Sequence, residues 1–368
     1  MDPRIREHAS LLVHDALELE EGDDVVIKAA PVAQDLVVAL HEVIGDVGAN
    51  PVAQYTNRGG RAIRSYLRAH DGDFETPEHE QALVEAADAH IHIRADENVT
   101  ETSDVDPERN AAWQQAHRPI LNERLTDNWT LTQYPAPANA QLAEMSTEGY
   151  ENFVWDAVNK DWDEQHEFQE QMVEILDDAD EVRIVSGETT DVRMSVAGNN
   201  PINDTCTNNV PGGEVFTAPV RDSVEGEVLF DKPLYHQGRE VLDAYLQFEG
   251  GEVVDHAASK NEEVLTEVLE TDEGARRLGE LGIGMNRDID RFTYNMLFDE
   301  KMGDTVHMAV GRAYEDTVRD DDERNDSAVH VDMIVDMSED SRIEVDGEFV
   351  QRNGTFRFED GFERGEGA

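Results

Sequence analysis

Side chains that could do chemistry are densest between Tyr294 and Asp336. Residues 328–337 alternate like a strand, so His330, Asp332 and Ile334 share one face of the pleat and Val329, Val331 and Met333 share the other. An imidazole and a carboxylate therefore point the same way. Inward polar groups on a half-buried strand need a partner; a metal ion is the simplest one, and a solvated face is the alternative. Upstream, His307 and Tyr314 lie in a run with helical apolar spacing. On a continuous helix they would share a face but stand about 10.5 Å apart along the axis. Both could then bind one ion only if Gly311 ended or distorted the helix.

Two further acids have locally apolar company. Glu214 follows the pair Gly212-Gly213 at the start of a β-like run, and Glu280 lies in Gly279-Glu280-Leu281-Gly282-Ile283-Gly284. Glycines let the backbone turn sharply or approach closely, which suits a strand end presenting Glu214 inward. An ordinary hairpin with an exposed acid fits that segment as well.

Several familiar chemistries are excluded by their spacing. No G-x-G-x-x-G follows a strand, and neither a phosphate-binding G-x-x-x-x-G-K-[ST] nor a G-x-S-x-G nucleophile elbow occurs. His41-Glu42 and His166-Glu167 begin like H-E-x-x-H, but the fifth position is Gly45 in one and Glu170 in the other. Any metal site must be assembled from distant segments. Cys206 is the only cysteine, which rules out an intramolecular disulfide and a thiolate cluster within one chain. No histidine accompanies it at a spacing that would mark a nucleophile.

The elements that must position these residues divide the chain in two. A helix is expected from Pro3 to Leu19, capped by Asp2. Strands at Asp23–Ala29, Asn50–Tyr55, His90–Arg94 and Trp129–Tyr134 then alternate with helices at Val32–Val47, Arg61–Ala69, Glu78–Ala87 and Glu108–Leu125. That alternation predicts an α/β domain with a parallel sheet covered on both faces. Pro135-Ala136-Pro137 interrupts it, and Ala140–Asp178 reads as helical. Beyond, β-like runs at Glu181–Ser186, Asp191–Ala197, Glu214–Val220, Gly226–Tyr235 and Val241–Phe248 predict a change of architecture. The expected division is 1–178, an N-terminal α/β domain with a helical connection, and 179–368, a C-terminal α+β catalytic domain that binds metal. The tail, Glu359–Ala368, is rich in Gly and Glu, as fraying ends are.

Composition limits the setting. The chain of 368 residues has 83 acidic and 30 basic residues, a net charge of -53, and only five lysines. Phosphate binding needs a concentrated basic surface, so a nucleic acid partner is not expected. An acidic, lysine-poor surface resembles that of halophilic proteins, whose self-repulsion is screened by salt. The start MDPRIREHASLL lacks a signal-peptide pattern and no stretch approaches a membrane span, so a cytoplasmic location without membrane association is expected.

Four blocks, NVPGGEVFTAP, LGELGIG, LFDEKMGDTVHMAVGRAY and SAVHVDMIVD, occur in the order in which they stand in the thermophilic metallo-aminopeptidases of the aminopeptidase T and S type. The chain resembles that family over nearly its whole length. The resemblance implies metal binding by Glu214, Glu280, His307, Tyr314, His330 and Asp332, which would hold two divalent ions; Zn, Co or Mn suit two imidazoles and three carboxylates better than Ca does. It implies a homodimer that hydrolyses N-terminal residues from peptides through a water bridged by the ions, with Glu280 as the carboxylate that takes the water's proton. Tyr314 is a ligand or a group beside the ligands. Two alternatives use the same segments: a mononuclear iron ring-opening dioxygenase of related fold, which needs fewer ligands than Glu214 and Glu280 add, and a non-catalytic metal-binding dimer.

Overall fold

The computed structural model describes residues 2–55, 60–236, 239–319 and 324–363. Residues 320–323 and the end of the Gly- and Glu-rich tail, 364–368, lie outside the described residues. The chain forms two compact units, residues 1–160 with 206–212, and residues 161–205 with 213–368.

The first unit is built on a parallel sheet. Its five strands lie in the order Asn50–Tyr55, Asp24–Ala29, Ala89–Arg94, Asn128–Gln133, Asn209–Val210, and every neighbouring pair is parallel. Parallel strands need crossover connections, and helices supply them: Gln34–Val47 after the first strand, Arg61–Ala69 and Glu78–Glu85 after the second. The helix Gln34–Val47 buries Leu36, Leu40 and Ile44 at helical spacing and ends at Gly48, whose φ of 91° terminates it. Asp2 caps the first helix, accepting a bond from the Arg4 amide at 2.9 Å. That helix runs Pro3–Leu11 and widens into a π-turn over Leu12–Ala16 rather than continuing to Leu19. The single helix expected over Glu108–Leu125 is two helices, Pro107–Ala116 and Arg118–Thr126. Pro119 has no amide hydrogen to donate and its ring would clash with the preceding turn, so the helix must restart there.

The second unit contains two large antiparallel sheets, a two-stranded ribbon of Leu234–His236 with Arg239–Val241, and the helix Trp162–Asp177, started by Asp161, which accepts from the Glu164 amide at 3.1 Å. One sheet has eight strands, running from Glu252–Ala257 at one edge to Thr355–Phe356 at the other. The other has five, in the order His330–Asp336, Thr305–Gly311, Leu278–Gly284, Glu214–Thr217, Ile202–Asp204. Both contribute to one apolar core, with Val182, Ile184, Val192 and Met194 from the first and Leu281, Ile283, Val306, Met308, Val331 and Met333 from the second. The fold is thus an N-terminal α/β unit with a parallel sheet, followed by an α+β unit.

One expectation is overturned at a functional position. The run containing His307 is a strand, Thr305–Gly311, not a helix. It is the second strand of its sheet, paired on both sides, and all seven of its residues are buried. A strand buried on both faces is a nearly continuous apolar run, and periodicity cannot separate such a run from a buried helix. Among the described residues, no helix is long and apolar enough to cross a membrane.

Candidate metal centre

The five-stranded sheet in the second unit places its chemistry by register. Residues directly opposite in antiparallel strands point to the same face, and here Gly284 faces Glu214, Gly282 faces His307, Ala309 lies between Glu280 and Asp332, and Gly311 faces His330. One face therefore carries Glu214, Glu280, His307, His330 and Asp332, interleaved with glycine and alanine. The opposite face carries Val215, Leu281, Ile283, Val306, Met308, Val331 and Met333, all in the core. A bulge between Leu278 and Glu280 brings Glu280 opposite Ala309.

The small residues make room for the large ones. A Cβ on Gly282 would lie 2.0 Å from the His307 ring, so the imidazole occupies the space that any side chain at 282 would need. Gly213, just before Glu214, has φ 119°, and a Cβ there would meet that of Asn286 at 2.4 Å. Both the turn and the close approach expected of the glycine pair are present. Buried amides hold the strand ends: Gln169 donates to the carbonyls of Asp204 at 3.1 Å and Glu214 at 3.0 Å, and Gln165 to that of Met285 at 3.2 Å.

The side chains form two overlapping clusters. Glu214, Glu280 and His307 make one and Glu280, His330 and Asp332 the other, with one donor atom from each residue lying within 4.8 Å of the rest of its cluster. His307 Nε2 is 3.1 Å from Glu214 Oε2 and 3.1 Å from Glu280 Oε1. His330 Nε2 is 3.4 Å from Asp332 Oδ1 and 3.8 Å from Glu280 Oε2. The His330 Nδ1 donates to the Arg312 carbonyl at 2.7 Å, which turns Nε2 toward the cluster as the nitrogen that could ligate once deprotonated. Tyr314 follows the strand end at Gly311 and lies outside any helix; its ring centre is 4.8 Å from that of His330 and 6.2 Å from that of Phe216. The 10.5 Å separation of a helix thus does not apply. Tyr314 keeps 42% of its surface exposed, and partial desolvation, then the charges of Glu280 and Asp332, raise its phenol above the ordinary range.

Asp204, Glu300 and Lys301 join this arrangement, and sequence reasoning missed all three. Lys301 has no exposed surface; its Nζ lies 2.8 Å from Glu214 Oε1 and 3.8 Å from Asp204 Oδ2 and donates to Glu300. The preceding turn is fixed by buried Asp299, which accepts from the amides of Thr293 and Asn295, each at 2.8 Å. The available signal was weak: Lys301 is the only lysine after Lys260 and lies within the block that contains His307.

The electrostatics is that of crowded acids and bases: burial would lower both imidazoles, but Glu214 and Glu280 hold His307 well above its usual value and Asp332 brings His330 up to about 10. Burial raises the carboxyl of Asp204 to about 7, that of Glu300 to about 7, and that of Glu280 above its ordinary value. Burial would raise Glu214 too, but Lys301 and then His307 bring it down to about 2; His330 does the same for Asp332, also to about 2. Burial would lower Lys301, yet Glu214, Glu300 and Asp204 hold it well above its usual value. Four buried oxygens, Glu214 Oε2, Glu280 Oε2, Asp332 Oδ1 and Asp204 Oδ2, accept no hydrogen bond. A buried carboxylate oxygen without a donor is strongly disfavoured, and a cation is its natural complement. Imidazole and carboxylate donors in this number suit a divalent transition metal, so the residues fit one.

Gly282→Ala is expected to displace the His307 ring and to abolish metal binding while leaving the secondary structure formed. Calorimetric titration of metal-free protein with Mn2+, alongside circular dichroism, checks this; a folded variant that binds metal like the wild type contradicts it.

The chain is similar to several known proteins along most of its length. Over 417 aligned residues the chain is 28% identical to Aminopeptidase 2 of Geobacillus stearothermophilus, covering 97% of this chain and 98% of that one. A segment of 154 residues, 39% of this chain and 36% of the relative, is 40% identical to Aminopeptidase T of Thermus aquaticus. The fold is similar to the wild-type AmpT structure from Thermus thermophilus, with a TM-score of 0.85 and 26% identity over 96% of this chain and 99% of that one. It is also similar, at a TM-score of 0.61 and 14% identity over 97% of each chain, to a 2,5-dihydroxypyridine dioxygenase from Pseudomonas putida KT2440, a likeness of fold alone. Matched from residue 1 to residue 361, the chain belongs to the thermophilic metalloprotease family M29 and is a metal-dependent peptidase.

Proposed function

We propose that the chain is an aminopeptidase that releases the N-terminal residue of peptides, with two divalent ions, Zn, Co or Mn, held by Glu214, Glu280, His307, His330 and Asp332. The observation that carries this reading is that Glu280 belongs to both donor clusters, as a carboxylate shared by two ions would. Charge supports the same number. With both imidazoles neutral and every carboxyl ionised, as metal ligation requires, Asp204, Glu214, Glu280, Glu300 and Asp332 set five carboxylates against one ammonium, Lys301, and two divalent ions balance the remainder where one would leave half of it. When bound, such ions polarise a peptide carbonyl and make a water acidic enough to attack it at neutral pH.

The chain's own residues supply the rest. Glu280 turns one oxygen toward His307 and the other toward His330, so it has the geometry of a shared ligand. For accepting the water's proton and passing it to the leaving amine we favour Glu300, a half-buried carboxylate outside both donor clusters, over Glu280. Tyr314, packed on His330, borders the centre as a ligand or as a donor to the developing oxyanion. A ring-opening dioxygenase needs one iron and fewer ligands; the carboxylates of Glu214 and Glu280 argue against it.

Dialysis against a chelator is expected to abolish cleavage of a leucyl substrate, and Zn, Co or Mn to restore it. The N-acetylated substrate should resist cleavage throughout, since an exopeptidase must engage the free α-amino group. Full activity in metal-free protein, or equal cleavage of the blocked substrate, contradicts the reading.

We also place the protein in concentrated salt, as a cytoplasmic homodimer. The net charge of -53 makes the surface repel itself. The Debye length falls from about 10 Å at 0.1 M to about 3 Å at 1 M, which removes most repulsion between neighbouring acids. A single cysteine suits a reducing compartment. Across a KCl series, circular dichroism, sedimentation and peptidase rate are expected to fall together as salt is diluted, and added Mn2+ should move the midpoint to lower salt by mass action. A chain that stays dimeric, folded and active in dilute buffer contradicts the halophilic reading and leaves the metal site untouched.

A further inference from the structure

Lys301 is the most unusual side chain in the second unit. A fully buried lysine is rare unless paired, and this one is surrounded by Glu214, Glu300 and Asp204. Its bond to Glu214 is selective. Lys301 takes Oε1 at 2.8 Å, whereas Oε2 accepts no hydrogen bond and lies 3.1 Å from His307 Nε2. The two oxygens of one carboxylate thus face different partners.

Resting on the metal-centre reading above, we infer that Lys301 is a positioning residue that makes Glu214 a one-oxygen ligand. By occupying Oε1 it prevents Glu214 from chelating an ion with both oxygens, and so keeps one coordination position open on that ion. An open position is what separates a catalytic metal site from a closed structural one. The constraint is stiff because every part is anchored. Glu300 holds the ammonium from a second side, the Lys301 carbonyl accepts from the Asn286 amide at 3.1 Å, and the Glu214 carbonyl accepts from Gln169 at 3.0 Å. Lysine suits this role because its ammonium is a compact point charge with three donors, enough to serve several carboxylates at once.

Cobalt reports the coordination number directly, since visible absorption per Co2+ weakens as the ion moves from four or five ligands toward six. The comparison uses full-length protein, metal-stripped and reloaded with Co2+, as Glu300→Gln and as Lys301→Met with Glu300→Gln. Removing one acid together with the lysine keeps the local charge balanced. With Lys301 gone, Glu214 is free to use both oxygens, and absorption per bound cobalt is expected to fall by about twofold or more as the geometry closes. Lys301→Gln in the same background is too short to reach Oε1; it is expected to fall in the same direction and serves if the methionine variant does not fold. Superimposable spectra from folded, fully loaded proteins with and without Lys301 overturn the inference. Wild-type protein that takes up no Co2+ overturns it together with the metal-centre reading, which distinguishes the two failures.

Discussion

The structure of the second unit depends on one electrostatic constraint: four carboxylates and two imidazoles are gathered on the polar face of one sheet, and the adjoining turn adds a fifth carboxylate, Glu300, and the ammonium of Lys301. Buried like charges repel strongly where the surroundings are poorly polarisable, and each must be neutralised by protonation or by a counter-ion. Burial pushes the carboxyls of Asp204, Glu280 and Glu300 toward the first of these. A divalent cation is the second. Metal binding and folding of this region are therefore linked, because a cation held only by the native arrangement stabilises it.

Antiparallel register solves the geometric half of the problem. Donors from four adjacent strands converge because their partners across the ladder are small: Gly282 beneath His307, Gly284 opposite Glu214, Ala309 between Glu280 and Asp332. The reverse face of the same strands is apolar and fills the core. A strand carries both functions because its side chains alternate, so the residues that hold the sheet in place are the neighbours of those that do chemistry. Lys301 and Glu300 come from the turn before the His307 strand, where buried Asp299 ties down the backbone.

Much of this was legible in the sequence. The alternation of His330 and Asp332 with Val331 and Met333 revealed both the strand and its polar face, and the glycines around Glu214 and Glu280 marked backbone approaches that the structure contains. The alternating strands and helices of the first unit predicted its parallel sheet. What remained hidden was hidden for physical reasons. The His307 segment is buried on both faces as a strand and nearly continuous in apolar residues, so its period could not reveal it. Asp204, Glu300 and Lys301 reach the centre through tertiary contacts up to 97 residues apart in sequence, such as that between Lys301 and Asp204, and no local spacing encodes those. In a chain with 83 acids, a buried carboxylate looks like any surface one.

The central claim is that the excess negative charge on this sheet face is matched by two divalent ions that share Glu280. Anomalous diffraction at the manganese edge, from crystals grown with Mn2+, tests it most directly. The account predicts two peaks roughly 3.5 to 4 Å apart, both in contact with Glu280, one beside Glu214 and His307 and the other beside His330 and Asp332. A single peak, or peaks away from Glu280, would contradict it.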